Sequence, residues 1–161
     1  MKDKDIVEEF ERSWKYTRQM TNAFISCVPE DKWTFSHHPR FAPLQKQFAH
    51  IVKVYGCYVD ALNSRTLNMS KKADFKLKSE SRDEIEMTLK NIDLSLSEIL
   101  SKLKEFGLEQ LSVNVFGMKM GFTEFTHVMI QHEVSHFGLW MNYAVFGNFP
   151  TPKMWQEEWK L

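Results

Sequence analysis

Two histidines lie one helical turn apart on the apolar face of a helix near the end of the chain. His132 and His136 fall on a stripe that runs from Phe125 to Phe146 at steps of four and three residues. Burying an imidazole without a partner costs on the order of 1 to 3 kcal/mol. Residues at positions i and i+4 share one helix face, so both imidazoles can converge on one metal ion.

The best candidate for a third ligand is His50. It lies among apolar residues in the segment QKQFAHIVKV, on the face that also carries Gln47 and Val54, and should point into the protein. Three neutral imidazoles leave a coordination position open for water or substrate, which is typical of catalytic metal sites. Zinc, nickel and iron all accept such ligands. We therefore predict one divalent metal ion, bound by His50, His132 and His136.

The same residues also spell a protease motif. His132, Glu133 and His136 match His-Glu-x-x-His, in which the glutamate activates a metal-bound water. A protease would take its third ligand from further along the chain, where only Glu157 and Glu158 remain beyond a break with two prolines. We therefore favour the other interpretation. Should a metal-bound water need a base, Glu133 is our candidate catalytic residue.

Two alternatives stay open for these residues. Glu133 lies about 100° around the helix from His132, so it can be a surface carboxylate, or one that orients a ligand imidazole. The three histidines can also be core residues that are hydrogen-bonded and hold no metal.

The other histidines and the second cysteine have simpler interpretations. His37 and His38 belong to a proline-containing loop, where we favour a solvated turn over the alternative of a role in a binding site. His127 lies off the ligand stripe, so we expect it at the surface. Cys57 lies two helical turns after His50, about 10 Å away along the helix axis. That is too far to share the ion, and we expect a buried thiol.

Four segments have the apolar periodicity of long amphipathic helices. The first stripe runs over residues 7–27 and ends before Pro29. A loop with two further prolines follows, and the second helix should begin near Pro43, because proline suits a first helical turn. The polar, basic segment 63–80 should form a surface connection to the third helix.

The third helix has the clearest pattern. Ser81 and Glu84 have the spacing of a capping box at its start. Its stripe continues without a break to Phe106, and Gly107 supplies the left-handed residue that commonly closes a helix. The segment LSVNVFGMKMG then alternates apolar and polar residues between glycines, which favours either a short extended piece or a hairpin before the last helix.

Thr123 is a candidate N-cap for the fourth helix, which should stop at Gly147 before two prolines. A final short turn carries Trp155 and Trp159, four residues apart, which should pack on the bundle or on a partner. Four amphipathic helices with short or polar connections predict an all-α four-helix bundle. We expect one domain over residues 1–161.

Composition narrows the partners and the location. Lys plus Arg and Asp plus Glu number 21 each, so no overall field attracts phosphate backbones or anionic lipid. We expect neither nucleic acid nor a membrane as a partner. The first residues lack the apolar stretch of a secretory signal, and no window approaches the roughly 18 apolar residues of a membrane span. The two cysteines fit reduced thiols, so we predict a cytoplasmic protein.

The order of these features resembles the DinB-like family of small metal-binding bundles. The resemblance rests on a long first helix, the histidine of QKQFAHIVKV, and QHEVSHFG about eighty residues later. Its most specific part is His-x-x-x-His-x-Gly, formed by His132, His136 and Gly138. The chain departs from the Gln-Leu that often follows this glycine in the family, since it has Leu139 and Trp140.

The resemblance implies an up-down-down-up helix order, a metal site formed by His50, His132 and His136, and frequent dimerisation. Members of the family act as metal-dependent thiol S-transferases, isomerases or hydrolases. We therefore predict a metal-dependent enzyme that activates water or a low-molecular-weight thiol for attack on a small molecule, and that forms a homodimer. The alternative is a non-catalytic metal-binding or stress-associated bundle with a vestigial site.

Overall fold

The computed structural model describes residues 2–70, 75–109 and 111–160. It is mostly helical, with four long helices and a short last one: α1 (Asp3–Cys27), α2 (Leu44–Ser64), α3 (Arg82–Phe106), α4 (Phe122–Gly147) and α5 (Lys153–Trp159). A 3₁₀ turn, Glu30–Lys32, lies between α1 and α2. Helices α1 and α2 each pack against both α3 and α4. The predicted mostly helical fold is therefore confirmed, whereas the up-down-down-up order stays a prediction.

A small three-stranded sheet departs from the all-α prediction. Strands β2 (Ser112–Val115) and β3 (Met118–Gly121) form the predicted antiparallel hairpin. The turn residues Phe116 and Gly117 both have positive φ, 51° and 91°, as the tight turns of two-residue hairpins require. The third strand, β1 (Thr66–Leu67), pairs in parallel with β2. It comes from the segment that we expected to be only a surface connection, part of which lies outside the described residues.

The ends of α3 largely follow their sequence signals. The Ser81 side chain caps the helix by accepting a hydrogen bond from the backbone N–H of Glu84. The return bond of the predicted capping box is different, because the Glu84 carboxylate accepts from the backbone N–H of Lys78 at 3.1 Å. Gly107 closes the helix with a φ of 84°, a value that L side chains rarely adopt.

The start of α4 corrects the cap prediction. Thr123 is not the N-cap, because strand β3 leads directly into a helix that begins at Phe122. Gly121 takes the cap position, and its N–H donates to the Glu124 carboxylate at 2.9 Å. The hairpin therefore leads directly into α4, which begins one residue before Thr123.

Helix α5 packs against α1 and α4 mainly through Trp155. The Trp155 side chain is 0% exposed and packs against Phe24 of α1 and Phe137 of α4, with ring centroids 4.9 and 5.0 Å away. Its indole Nε1–H donates to the carbonyl of Met20 at 3.1 Å. Trp159 remains 40% exposed. None of the helices in the described ranges has the length and apolarity needed to cross a bilayer.

Replacing Trp155 by alanine should lower the free energy of unfolding by about 3 to 5 kcal/mol, as expected for removing a buried aromatic side chain. Urea denaturation followed by far-UV circular dichroism measures the loss. Trp159→Ala is the matched control on the same helix, and it should cost less than half as much because its side chain is partly solvated. Equal losses for the two variants would contradict this account of α5.

Candidate metal centre

The three predicted ligands come together where α2 packs against α4. Nε2 of His50 lies 3.2 Å from Nε2 of His132. One ring nitrogen from each of His50, His132 and His136 lies within 4.8 Å of the others. Two nitrogens bound tetrahedrally to one zinc ion, each at about 2.0 to 2.1 Å, would lie roughly 3.4 Å apart. The cluster could therefore hold a metal ion.

Burial keeps these imidazoles neutral. It lowers the pKa of His132 to about 4, with a further contribution from His50. It also lowers the pKa of His136 to about 4, and there His132 and His50 both add to the effect. The pKa of His50 is lowered by burial and by the positive charge of Lys53. At neutral pH the ring lone pairs are thus available to a cation without loss of a proton.

Aromatic rings pack against the two α4 histidines. A ligating histidine usually donates its second ring N–H to a carboxylate, a carbonyl or water. The Nδ1 atoms of His132 and His136 are buried and have no such partner among the described residues. Instead Tyr58 lies edge-on to His132 at 6.0 Å, and Trp140 lies 5.9 Å from His136. The donor set fits a divalent cation, and its geometry depends on how α2 and α4 pack.

The cluster reaches the protein surface. His50 is exposed, whereas His132 and His136 are each partly buried. A molecule from solvent can therefore approach the histidines, as an open coordination position requires.

The glutamate between the α4 ligands faces a different helix. Glu133 is 0% exposed, and its Oε1 accepts hydrogen bonds from Nη1 of Arg18, at 2.9 Å, and from the hydroxyl of Thr21. Both partners lie on α1, whereas the histidines meet His50 on α2. The surface interpretation of Glu133 is therefore wrong. Its role as a catalytic base stays a prediction.

Arg18 contacts all three of the other long helices. Its Nε donates to Asp93 of α3 at 3.0 Å, and its Nη1 donates to Glu133 of α4. Its guanidinium carbon lies 4.4 Å from the ring centre of Tyr55 on α2, within the range of a cation–π interaction. We refer to Arg18, Tyr55, Asp93 and Glu133 as the Arg18 cluster.

Charge pairing keeps Arg18 protonated in this cluster. Burial opposes the charge of Arg18, but the carboxylates of Glu133 and Asp93 outweigh that effect and raise its pKa. Burial raises the pKa of Asp93 to about 6, although Arg18 counteracts it. Burial and the charge of Glu133 raise the pKa of Tyr55 well above its usual value. Arg18 therefore stays charged, and the Tyr55 hydroxyl stays a neutral donor.

Sequence reasoning missed Arg18 and Thr21, although a signal for both existed. Trp14, Arg18, Thr21 and Ile25 follow one another at steps of four, three and four. Since Trp14 and Ile25 are buried, the two polar residues between them fall on the same buried face. The periodicity that identified His132 predicts buried polar groups here too.

The remaining histidines divide between the surface and an aromatic cluster. His127 and His38 are exposed, as predicted. His37 is half-buried and stacks against Phe41 and Phe146, with ring centroids 4.7 and 5.2 Å away. The prediction of a solvated turn is therefore wrong for His37, because aromatic side chains from its own loop and from α4 enclose it.

The structure does not assemble the ligand set of a protease. His50 joins His132 and His136, whereas Glu157 and Glu158 lie exposed on α5. The third nitrogen therefore comes from a facing helix and not from the carboxylates that follow the motif.

Comparison with known families agrees with this geometry. A family model described as the DinB superfamily matches residues 13–139. The match includes all three histidines and the whole of α2 and α3. No curated protein matches the chain.

Wild-type protein reconstituted with zinc, nickel or iron should hold close to one metal ion per chain, measured by inductively coupled plasma mass spectrometry. His136→Ala removes a ligand and should weaken metal binding strongly. The loss should exceed the roughly 10- to 100-fold in affinity that follows the removal of a residue hydrogen-bonded to a ligand. His127→Ala, on the same helix but outside the cluster, should bind like wild type. Equal metal content in His136→Ala and wild type would rule out this site.

Proposed function

Because the chain belongs to the DinB superfamily, we propose that it is a metal-dependent enzyme acting on small molecules. His50, His132 and His136 would hold one divalent ion, zinc or nickel before iron. When bound, such an ion is a Lewis acid that lowers the pKa of a water or thiol ligand. The observation that carries the proposal is the cluster of three neutral imidazoles at the protein surface.

The donor set favours an anionic reactant. In the described part of the chain, the cluster contains imidazoles and no carboxylate or thiolate. Neutral ligands leave the positive charge of a bound cation uncompensated by the protein. Such a site favours hydroxide or thiolate over neutral donors. Both reactants suit a nucleophilic attack on an electrophilic small molecule.

The surroundings of His50 suit a substrate that carries a negative charge. Lys53 lies one turn further along α2, is exposed, and is close enough to lower the pKa of His50. An ammonium group at the rim attracts carboxylates from solvent. A low-molecular-weight thiol that bears a carboxylate would therefore meet a matching charge beside the histidines.

Thiol transfer and hydrolysis would share their first step. The thiol loses its proton to a base in solvent, its sulfur bonds to the electrophilic carbon, and the leaving group departs with the electrons of the broken bond. In hydrolysis the oxygen of water replaces the sulfur. Family resemblance places thiol S-transfer before hydrolysis, and the non-catalytic bundle is the alternative.

Further parts of the proposal concern the whole protein. A net charge of zero supports a small molecule, rather than nucleic acid or a membrane surface, as the partner. Family resemblance supports a homodimer, a single domain over residues 1–161 and the up-down-down-up helix order. The cytoplasmic location rests on the use of cysteine.

Protein loaded with zinc, and separately with nickel, should accelerate the reaction of glutathione with monochlorobimane or the hydrolysis of nitrophenyl acetate, followed by fluorescence and absorbance. His50→Ala should lose nearly all metal-dependent rate, because it removes a ligand, while His127→Ala should keep it. Metal-loaded wild type that turns over neither substrate would favour the non-catalytic alternative.

Lys53→Ala should raise KM for glutathione by about 2- to 5-fold with little change in kcat, since an exposed charge contributes up to about 1 kcal/mol to a pair. The increase should shrink at high salt. Mercaptoethanol, a thiol without a carboxylate, is the matched control and should show no increase. The same rise for both thiols would show that Lys53 does not select a charged substrate.

A further inference from the structure

We propose that Glu133 is a positioning residue, whose buried ion pair with Arg18 holds α4 at the rotation that brings His132 and His136 to His50. The inference rests on the proposed metal site. It gives the glutamate of His-Glu-x-x-His a different role from the base of a zinc protease. That role follows from its contacts with α1 and from its place between the two ligands.

The first step of the argument is the geometry of α4. Glu133 follows His132 by one residue and precedes His136 by three, so a rotation that moves Glu133 moves both ligands. Side-chain atoms about 6 Å from the helix axis move by roughly 2 Å when the helix rotates by about 20°. Metal–ligand distances tolerate only about 0.2 Å. A small rotation of α4 would therefore remove both imidazoles from the ion.

The second step is that few polar contacts hold the two imidazoles themselves, although buried side chains pack along the whole of α4. The buried Nδ1 atoms of His132 and His136 have no hydrogen-bonding partner among the described residues, and the contact of His132 Nε2 with His50 Nε2 at 3.2 Å is one that a bound ion would replace. Ring packing against Tyr58 and Trp140 is less directional than a hydrogen bond. The orientation of the ligands must therefore come largely from the helix that carries them.

The third step is the cost of leaving the observed position. Glu133 and Arg18 are 0% and 4% exposed, and the bond between them is 2.9 Å long. Arg18 would keep Asp93 as a partner, but separating the pair leaves the buried Glu133 carboxylate without its cation, which is strongly destabilising. Apolar contacts lose energy gradually as a helix turns, whereas the hydrogen bond from Arg18 Nη1 to Glu133 Oε1 forms only over a narrow range of distances and angles. Thr21 narrows the range further by donating to the same carboxylate oxygen.

The fourth step connects α2 to the ion pair of Glu133 with Arg18. Tyr55, five residues after His50, lies on the guanidinium of Arg18, and its hydroxyl donates to the carbonyl of Met129 at 3.3 Å. Met129 lies one turn before Glu133 on α4. The two helices that carry the ligands therefore both contact Arg18, and they also bond to each other within the same layer.

The test uses cobalt(II), because its visible spectrum reports the geometry of the bound ion as well as the affinity. Glu133→Gln keeps the size of the side chain and removes its charge. Glu98→Gln, an exposed residue on α3, controls for the loss of a carboxylate. Leu100→Ala, a buried residue on α3, controls for loss of stability without loss of a polar contact.

Glu133→Gln should bind cobalt about 10-fold more weakly, and its ligand-field bands at saturation should differ from those of wild type. Glu98→Gln should match wild type in both respects. Leu100→Ala should melt at a lower temperature and still bind with wild-type affinity and spectrum. This contrast separates positioning from a general effect on stability.

Should Glu133→Gln fail to fold, the double variant Arg18→Met and Glu133→Met takes its place, because apolar pairs often substitute for buried ion pairs without loss of stability. It should fold and bind cobalt weakly, and binding like wild type would overturn the inference.

Two other outcomes would also overturn it. A Glu133→Gln protein with wild-type affinity and spectrum shows that the ion pair does not position the ligands. If that protein also loses turnover, Glu133 is a base. A wild type that binds neither cobalt nor zinc overturns the proposed metal site itself, which is a different failure from an unaffected variant.

Discussion

The guanidinium of Arg18 on α1 contacts all three of the other long helices through polar or cation–π interactions. It is charged, 4% exposed, and bonded to α3 and α4 while it lies against a ring from α2. A buried charge is costly unless it is paired and hydrogen-bonded. The bundle therefore has a layer in which helix positions are set by directional contacts, in addition to the apolar core above and below it.

The histidine cluster lies beside this layer. Its residues come from α2 and α4, the helices that also carry Tyr55 and Glu133. Spacing along α4 provides two imidazoles on one face, and only packing against α2 adds His50. The buried Nδ1 atoms of His132 and His136 lack hydrogen-bonding partners in the described ranges. The positions of these two rings therefore depend on the packing of the side chains around them. The Arg18 cluster lies on one side of the α4 histidines, and the exposed His50 lies on the other side and leaves the histidine cluster open to solvent.

The motif His-Glu-x-x-His illustrates how one pattern serves two chemistries. Adjacent residues on a helix point about 100° apart, so the glutamate faces whatever element packs on that side. Here that element is α1, and its residues Arg18 and Thr21 donate hydrogen bonds to the Glu133 carboxylate. The same three letters beside an open cleft would place the carboxylate near the ion. A motif of this length therefore specifies ligands more securely than it specifies a base.

Periodicity and local signals in the sequence determined the four long helices, the Ser81 cap, the hairpin and the identity of the three clustered histidines. Tertiary structure decided the pairing of β1 with β2, the start of α4 at Phe122, the enclosure of His37 and the ion pair of Glu133 with Arg18. The physical reason is that spacing along a helix reports which residues share a buried face. It does not report which distant side chain lies across from that face, and that choice is made by the packing of whole helices.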